Sequence, residues 1–254
     1  MDGKHDVRQP PVAAGGQEAA GSAARPRSRR LRRHWMAEWL RSILVAFGLF
    51  LIIRTFLVEA FRIPTGSMED TLLVGDFLLV NKAIYGGRIP LTDVRMPAFV
   101  EPRVGDMAVF VPPHVPGQNY VKRIVAAPGD TVSMRAKTLY LNGVAVREPF
   151  VRHREPEDAY APVMAWQCAY HPERPTNCRP TRDNWGPLIV PADRYMVLGD
   201  HRDDSEDSRY WGFVPRQAIK GTPLFVYYSF DPAAPGPVPW FTDIRWERIG
   251  RAVH

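Results

Sequence analysis

Ile63-Pro64-Thr65-Gly66-Ser67-Met68-Glu69-Asp70-Thr71-Leu72 follows directly on the long apolar run of the chain, and the rest of the sequence is organised around it. Pro64 fixes its own φ and biases Ile63 toward extended geometry, while Gly66 allows a tight bend beside the serine. Such a turn can hold the Ser67 hydroxyl outward and leave backbone N–H groups free. Ser67 is therefore a candidate nucleophile, and an ordinary loop serine is the alternative.

The residues before this turn predict a membrane anchor. Most of the formal net charge of +6 belongs to residues 1–34, which lack large apolar side chains before the arginine cluster at 25–33. We expect a disordered basic tail over 1–34, on the cytoplasmic side of a membrane. A nucleic-acid-binding tail is the alternative, but the position of the cluster next to an apolar run favours the membrane flank.

Every residue from 43 to 53 is apolar or glycine, and apolar flanks extend the run to the length that crosses a bilayer core of about 30 Å. We expect one transmembrane helix over 35–60, with the rest of the chain outside the cytoplasm. A cleavable signal peptide ending at Val58-Glu59-Ala60 is the alternative, but Arg54 interrupts its apolar region.

Short apolar stretches between turn residues predict a mainly β fold after the anchor. Asn142-Gly143 is a strong hairpin signal. The expected strands cover 76–82, 105–111, 120–126, 131–134, 139–146, 194–198 and 223–230, and residues 91–103 read as a loop or ribbon. We expect an antiparallel β core formed by 61–135 and 192–254.

The polar, proline-rich segment 136–191 predicts an inserted β-rich subdomain and holds both cysteines. Outside the cytoplasm, a disulfide between Cys168 and Cys178 is the default expectation. A metal site built from Cys168, His171 and Cys178 is the alternative, although no fourth ligand is evident.

Three classes of catalytic site can be compared. None of the histidines at 114, 153, 171 and 201 has a recognisable catalytic context, no HExxH motif is present, and the acidic run 200–207 lacks the EF-hand pattern. No phosphate-binding loop is found either, so we expect no cofactor and no metal.

Ser–Lys chemistry needs a lysine whose pKa is lowered by burial, and Lys122 fits because its strand neighbours are apolar. An edge-strand lysine is the alternative reading.

Four stretches together resemble the bacterial type I signal peptidase (leader peptidase) family of membrane-anchored Ser–Lys peptidases. They are residues 63–76 with Ser67, the short box Gly105-Asp106-Met107-Ala108-Val109-Phe110, the strand Tyr120-Val121-Lys122-Arg123-Ile124-Val125-Ala126-Ala127-Pro128-Gly129-Asp130, and residues 198–215, which begin Leu198-Gly199-Asp200-His201-Arg202-Asp203. The resemblance covers about residues 54–226 apart from the insertion. It implies a serine endopeptidase on a signal-peptidase-like antiparallel β core. The implied localisation is a bacterial cytoplasmic (inner) membrane, crossed once, with the N-terminus in the cytoplasm and the catalytic part on the outer or periplasmic side.

The resemblance also implies roles for individual residues. Ser67 matches the nucleophile and Lys122 the general base, while the Ser67 N–H and the Thr65 hydroxyl match the oxyanion donors. Supporting roles fall on Ser205, which matches the serine that orients the lysine, on the pair Asp207 and Arg209, and on Asp200 and Arg123. Pocket positions for small substrate side chains are Phe61, Ile63, Pro64, Met68, Leu72, Val109, Tyr120 and Val121, each with core packing as its alternative.

The implied function is removal of N-terminal signal peptides from exported preproteins after a small-x-small site, through an acyl-enzyme. The expected partners are preprotein signal peptides and membrane lipid, with no nucleic acid and no obligate protein partner. The alternatives are a dedicated peptidase for a pilin or conjugation protein, a silent anchored β module that binds exported chains, and a self-cleaving repressor. Three departures from the family pattern are present, and none touches Ser67 or Lys122: His201 replaces a frequent asparagine, Glu69-Asp70-Thr71 replaces a proline-containing triplet, and Ala126-Ala127 stands where a glycine is frequent.

Overall fold

The computed structural model of the chain describes residues 28–86 and 97–253, without the side chains of 28–34 and Ala37. Residues 1–27 of the disordered tail expected over 1–34, and residues 91–96 of the loop expected over 91–103, therefore lie outside the described residues. The chain forms two compact units, one up to Phe47 and the other from Gly48 onward.

The N-terminal helix α1 spans Ser28–Ile52 and continues as a π-helical turn over Ile53–Leu57. Among the described residues, Glu38–Leu57 is the one helical stretch long and apolar enough to cross a membrane. This stretch lies inside the expected span 35–60, while the helix itself begins before 35 and ends before 60. Arginine favours helix, so α1 already includes the arginines at 29–33, and the chain becomes a strand at Val58.

In the described part of the chain, eleven strands form two antiparallel sheets. The large sheet has the order β1-β2-β11-β3-β4-β9-β10, and the small sheet has the order β7-β6-β5-β8. The strands are β1 (Val58–Arg62), β2 (Asp76–Asn81), β3 (Met107–Phe110), β4 (Tyr120–Ala126), β5 (Thr131–Arg135), β6 (Thr138–Leu141), β7 (Val144–Ala145), β8 (Trp185–Ile189), β9 (Arg194–Leu198), β10 (Val214–Pro215) and β11 (Ile219–Ser229). Mainly β architecture was thus predicted correctly.

Two sequence predictions about the strands need correction. Asn142-Gly143 does form a turn, but it joins the short strands β6 and β7, whereas β5 and β6 are joined at Ala136-Lys137, where both residues have positive φ (45° and 68°). Strands β1 and β8 were missed because Glu59 and Arg62 interrupt the apolar pattern of β1, and Gly186-Pro187 reads as a chain break inside β8.

The inserted segment 136–191 contributes β6, β7 and β8 to the small sheet, which also includes β5 from Thr131 onward. The two sheets share one apolar cluster, in which Val125 and Leu198 of the large sheet pack with Met134 and Leu188 of the small sheet. This shared core joins the small sheet to β4 and β9.

Candidate active site

Ser67 lies in a tight turn that follows β1. The turn is closed by two backbone hydrogen bonds, from the Glu69 N–H to the Gly66 carbonyl (2.8 Å) and from the Leu72 N–H to the Met68 carbonyl (2.7 Å). Within the described chain, no acceptor takes the N–H of Ser67. The turn therefore holds the nucleophile candidate and a free backbone donor at the same place.

Lys122 enters the site from the middle of β4, where it is paired in register with Ala108 of β3. Its side chain is only 3% exposed, and its Nζ donates a hydrogen bond to the Ser67 Oγ. The alternative reading of Lys122 as an exposed edge-strand lysine is excluded, because β4 lies between β3 and β9 inside the large sheet.

The environment of Lys122 favours its neutral form. Burial lowers the pKa of this lysine to about 8, and the negative charge of Asp207 opposes that shift in part. A lysine with this pKa has a substantial neutral fraction near pH 8, and only the neutral amine can accept a proton from a hydroxyl. The contact thus has the form of a nucleophile and its general base.

Thr65 stands on the exposed side of the nucleophile. Its Oγ1 lies 3.5 Å from the Ser67 Oγ, at the mouth of the turn. If Ser67 attacked a carbonyl carbon, the negative charge would develop on the carbonyl oxygen. The Thr65 hydroxyl and the free N–H of Ser67 can both donate hydrogen bonds to an oxygen at that place, which is the requirement for an oxyanion hole.

Arg123 faces away from Lys122, as strand alternation predicts, and forms a buried ion pair with Asp200. Its Nε and Nη2 donate to the two carboxylate oxygens at 2.9 and 2.8 Å. Asp200 also accepts a hydrogen bond of 2.6 Å from the Thr71 hydroxyl, at the end of the nucleophile turn. This pair therefore ties β4 and the segment after β9 to the turn that holds Ser67.

Ser205 occupies a different position from the one expected. We predicted a hydrogen bond to Lys122, but the Ser205 hydroxyl donates to Asp207 Oδ2 at 2.7 Å, and Ser67 is the hydrogen-bond partner of Lys122 in the described chain. Ser205 still packs at the site, because a Cβ added to Gly199 would collide with both its side chain and the Ser67 carbonyl.

Asp207 and Arg209 form a fully buried bidentate pair, with Nε–Oδ1 and Nη2–Oδ2 distances of 2.8 Å. Burial raises the pKa of Asp207, but the charge and hydrogen bonds of Arg209, the charge of Lys122 and the Gly199 N–H together outweigh it and hold the pKa below its usual range. Asp207 therefore stays ionised behind Lys122.

A cleft of about 300 Å³ opens above the Ser67–Lys122 pair. Six of the predicted pocket residues line it, namely Phe61, Ile63, Pro64, Met68, Tyr120 and Val121. Leu72 and Val109 do not, because both are completely buried in the apolar cluster behind the cleft. Besides Gly66, sequence reasoning missed five lining residues with polar side chains, which carry no periodic signal: Arg62, Gln118, Asn119, Asp204 and Glu206.

The candidate metal ligands are otherwise engaged. Cys168 and Cys178 are joined by a disulfide, which leaves no thiolate for the alternative site with His171. A second group, His153, Asp183 and Asp203, brings three ligand atoms together, but the buried Arg182 contacts both of its carboxylates. This arginine supplies the positive charge that a metal would otherwise bring.

Comparison with known proteins decides the family. The family model described as "Signal peptidase, peptidase S26" matches residues 36–228. The chain belongs to the signal peptidase family. The matched region contains the apolar helix, the nucleophile turn, β4 and the Asp207–Arg209 pair, so the resemblance predicted from the motifs is confirmed.

Several relatives carry the name signal peptidase I. The protein from Pseudomonas aeruginosa is 37% identical over 82% of this chain and 78% of its own length. Those from Aquifex aeolicus and Bacillus licheniformis are 33% and 32% identical, over 76% and 79% of this chain and 82% and 92% of theirs. A solved signal peptidase I from Enterococcus faecalis V583 shares 31% identity, with a TM-score of 0.36, over 48% of this chain and 97% of that one. Membership of this family makes the chain a peptidase.

Proposed function

We propose that the protein is a membrane-anchored serine endopeptidase that removes signal peptides from exported preproteins, with Ser67 as nucleophile and Lys122 as general base. The observation that carries this proposal is the hydrogen bond from the buried Lys122 amine to the Ser67 hydroxyl at the base of an open cleft. The relatives named signal peptidase I supply the class of substrate.

In the first half of the reaction, neutral Lys122 takes the proton of the Ser67 hydroxyl while the oxygen attacks the scissile carbonyl carbon. The carbonyl oxygen becomes an oxyanion, and the Ser67 N–H and the Thr65 hydroxyl stabilise it. Protonated Lys122 then gives its proton to the leaving amine nitrogen. The C–N bond breaks, and the signal peptide remains as an ester on Ser67.

In the second half, a water molecule takes the place of the departed amine. Lys122, neutral again, accepts a proton from this water as its oxygen attacks the ester carbon. The C–O bond to Ser67 breaks, and Lys122 returns the proton to the serine oxygen. The products are a free carboxylate on the signal peptide and the original enzyme.

The membrane helix gives this chemistry its location. The stretch Glu38–Leu57 has the length of a membrane span, and the basic residues before it favour a cytoplasmic N-terminus. In this topology the catalytic part lies on the outer side of a bacterial cytoplasmic membrane. Preproteins arrive there still held by their own apolar signal segments.

Preprotein cleavage by the full-length chain in detergent micelles tests the function. We expect cleavage directly after the second alanine of an Ala-x-Ala site, identified by mass spectrometry of both products. Replacing that second alanine by leucine should abolish cleavage, because the cleft around Ser67 is small. Cleavage at another position, or undiminished cleavage by Ser67→Ala, would contradict the proposal.

A further inference from the structure

Residues 150–154, which follow the small-sheet strand β7, run alongside the segment that supports the active site. The Arg152 N–H donates to the Asp200 carbonyl at 2.9 Å, and the Arg202 N–H donates to the Arg152 carbonyl at 3.0 Å. These two bonds make Arg152 a parallel bridge partner of His201. We call residues 150–154 the strap.

Both ends of the strap are held in place. At one end, the Phe150 ring lies 3.7 Å from the guanidinium carbon of Arg123. At the other, the N–H groups of Arg154 and Glu155 donate to Asp203 Oδ2 at 2.5 and 2.8 Å. The backbone of the strap is therefore fixed independently of the two arginine side chains it presents.

Those arginines reach Glu69 and Asp70, the acidic residues two and three positions after Ser67. Arg152 Nε lies 2.5 Å from Asp70 Oδ2, and Arg154 Nη1 lies 3.2 Å from Glu69 Oε2. Asp70 has a φ of +75°, a left-handed conformation that costs energy for a residue with a side chain. Its ion pair with Arg152 helps to hold this conformation.

The His201 side of the turn is linked to the same acidic residues. The His201 N–H donates to the Ser67 carbonyl at 3.2 Å, and its Nδ1 lies 3.6 Å from Glu69 Oε2. Glu69 therefore stands between His201 and Arg154. Two of the departures from the family pattern, His201 and Glu69-Asp70-Thr71, therefore meet here, beside Ser67.

We infer that the strap is a positioning device for the nucleophile, in which Arg152 and Arg154 fix the Ser67 turn through Asp70 and Glu69. The inference rests on the proposed Ser–Lys function. The four charged side chains are at least partly exposed, so each pair contributes little to global stability. Small displacements of a nucleophile nevertheless change reaction rates strongly. We therefore expect loss of the strap contacts to lower kcat rather than stability.

The test compares variants of the full-length chain in detergent micelles. We expect Arg152→Ala and Arg154→Ala each to lower kcat about threefold, and the double variant about tenfold, as for loss of exposed ion pairs at a site sensitive to geometry. The KM for the preprotein and the Tm should change little. Arg152→Lys, which keeps the charge, should recover most of the activity. Arg179→Ala is the matched control, because Arg179 stacks on Tyr160 in the same inserted segment and should leave kcat unchanged.

Exchanging the charges of Glu69 and Arg154 distinguishes the effect of their ion pair from the effect of losing either side chain. Glu69→Arg and Arg154→Glu should each lower kcat, and the two together should restore it. Restoration in the double variant supports the strap, whereas a double variant no better than the two single variants overturns it.

Hydrogen exchange of the amides in residues 64–74 gives a readout that does not require turnover. We expect faster exchange there in the Arg152→Ala/Arg154→Ala variant, and unchanged exchange in β11. Equal exchange in parent and variant would overturn the inference, even if the parent cleaved no preprotein. Failure of the parent to cleave, together with faster exchange in the turn, would instead count against the proposed function alone.

Discussion

At the scale of single residues, Lys122 combines deep burial with a hydrogen bond to the hydroxyl it would deprotonate. A charged lysine in such a place is unfavourable, and a neutral one costs much less. The same burial that would provide a base near pH 8 therefore destabilises the folded protein at lower pH, where the amine is charged.

Lys122→Met should stabilise the protein at pH 7, because a similar apolar volume replaces a buried charge. The gain should approach about 3 kcal/mol. It should shrink as the pH rises from about 8 toward 10.5, because the folded parent releases its proton at lower pH than the unfolded chain. Unfolding free energies of both proteins between pH 6 and 10 measure this. A gain that is constant with pH would contradict the assigned protonation.

Thr65→Val should lower kcat by about a hundredfold or more, the usual effect of removing one oxyanion donor. KM should stay close to that of the parent, because the hydroxyl acts on charge that develops only in the transition state. Thr65→Ser, which keeps the hydroxyl, is the matched control and should remain active. A valine variant with the kcat of the parent would remove Thr65 from the oxyanion hole.

The sequence singled out Ser67 and Lys122, and the structure brings these two residues together. Ser67 lies in a proline–glycine turn and Lys122 in an apolar strand, and both signals are readable within a few positions. The partner of Ser205, the Asp207 carboxylate, was not readable, because a buried serine hydroxyl carries no sequence signal for the group it contacts. Leu72 and Val109 were misplaced for a similar reason, since apolar side chains of a pocket and of the core behind it look alike in sequence.

At the scale of elements, the buried Asp207–Arg209 pair is supported by the inserted segment. Trp166 Nε1 and Gln167 Nε2 both donate to the Arg209 carbonyl, at 3.1 and 2.8 Å. These residues lie on the 3₁₀ helix Pro162–Tyr170, which also carries Cys168 of the disulfide. The inserted segment thus contacts Arg209, the partner of Asp207, through a short 3₁₀ helix that the disulfide cross-links.

Replacing both cysteines by serine should lower the free energy of unfolding by about 2–3 kcal/mol, the chain-entropy value for a loop of this size. Cleavage well below the Tm should stay within about threefold of the parent, because the disulfide contacts neither Ser67 nor Lys122. Thermal unfolding and steady-state kinetics of Cys168→Ser/Cys178→Ser measure the two effects. An unchanged Tm would show that the cross-link does not constrain the unfolded chain.

Strand prediction succeeded where alternation and turn residues agreed. The bounds expected for 120–126 and 194–198 match β4 and β9, whose apolar residues pack into shared cores. The turn at Ala136-Lys137 could not be predicted, because these residues rarely adopt positive φ and do so here only because the pairing of β5 with β6 requires it. Tertiary pairing determined the conformation of this turn.

At the scale of the whole molecule, a basic flank and an apolar helix precede a β-rich catalytic part. The helix was predicted well because its composition is extreme, but its ends were not, since the boundary at Val58 depends on the pairing of β1 with β2. Anchoring would keep the catalytic part at the membrane surface, where signal peptides are held.

Protease protection in spheroplasts should reveal the topology. We expect an epitope tag at the C-terminus to be digested by external protease, while a tag at the N-terminus is digested only after lysis. The basic residues before the helix should hold the N-terminus inside. The opposite pattern of protection would place the active site in the cytoplasm and contradict the proposed role.

The pH dependence of kcat/KM for an Ala-x-Ala preprotein, measured with the parent, Lys122→Ala and Lys122→His, tests the central claim most directly. We expect the parent rate to rise with pH through about 8, as Lys122 becomes neutral. Lys122→Ala should lose about three orders of magnitude or more, as for removal of half of a coupled pair. Any residual activity of Lys122→His should follow the lower pKa of imidazole. A Lys122→Ala variant that keeps the rate and pH profile of the parent would show that Lys122 is not the base.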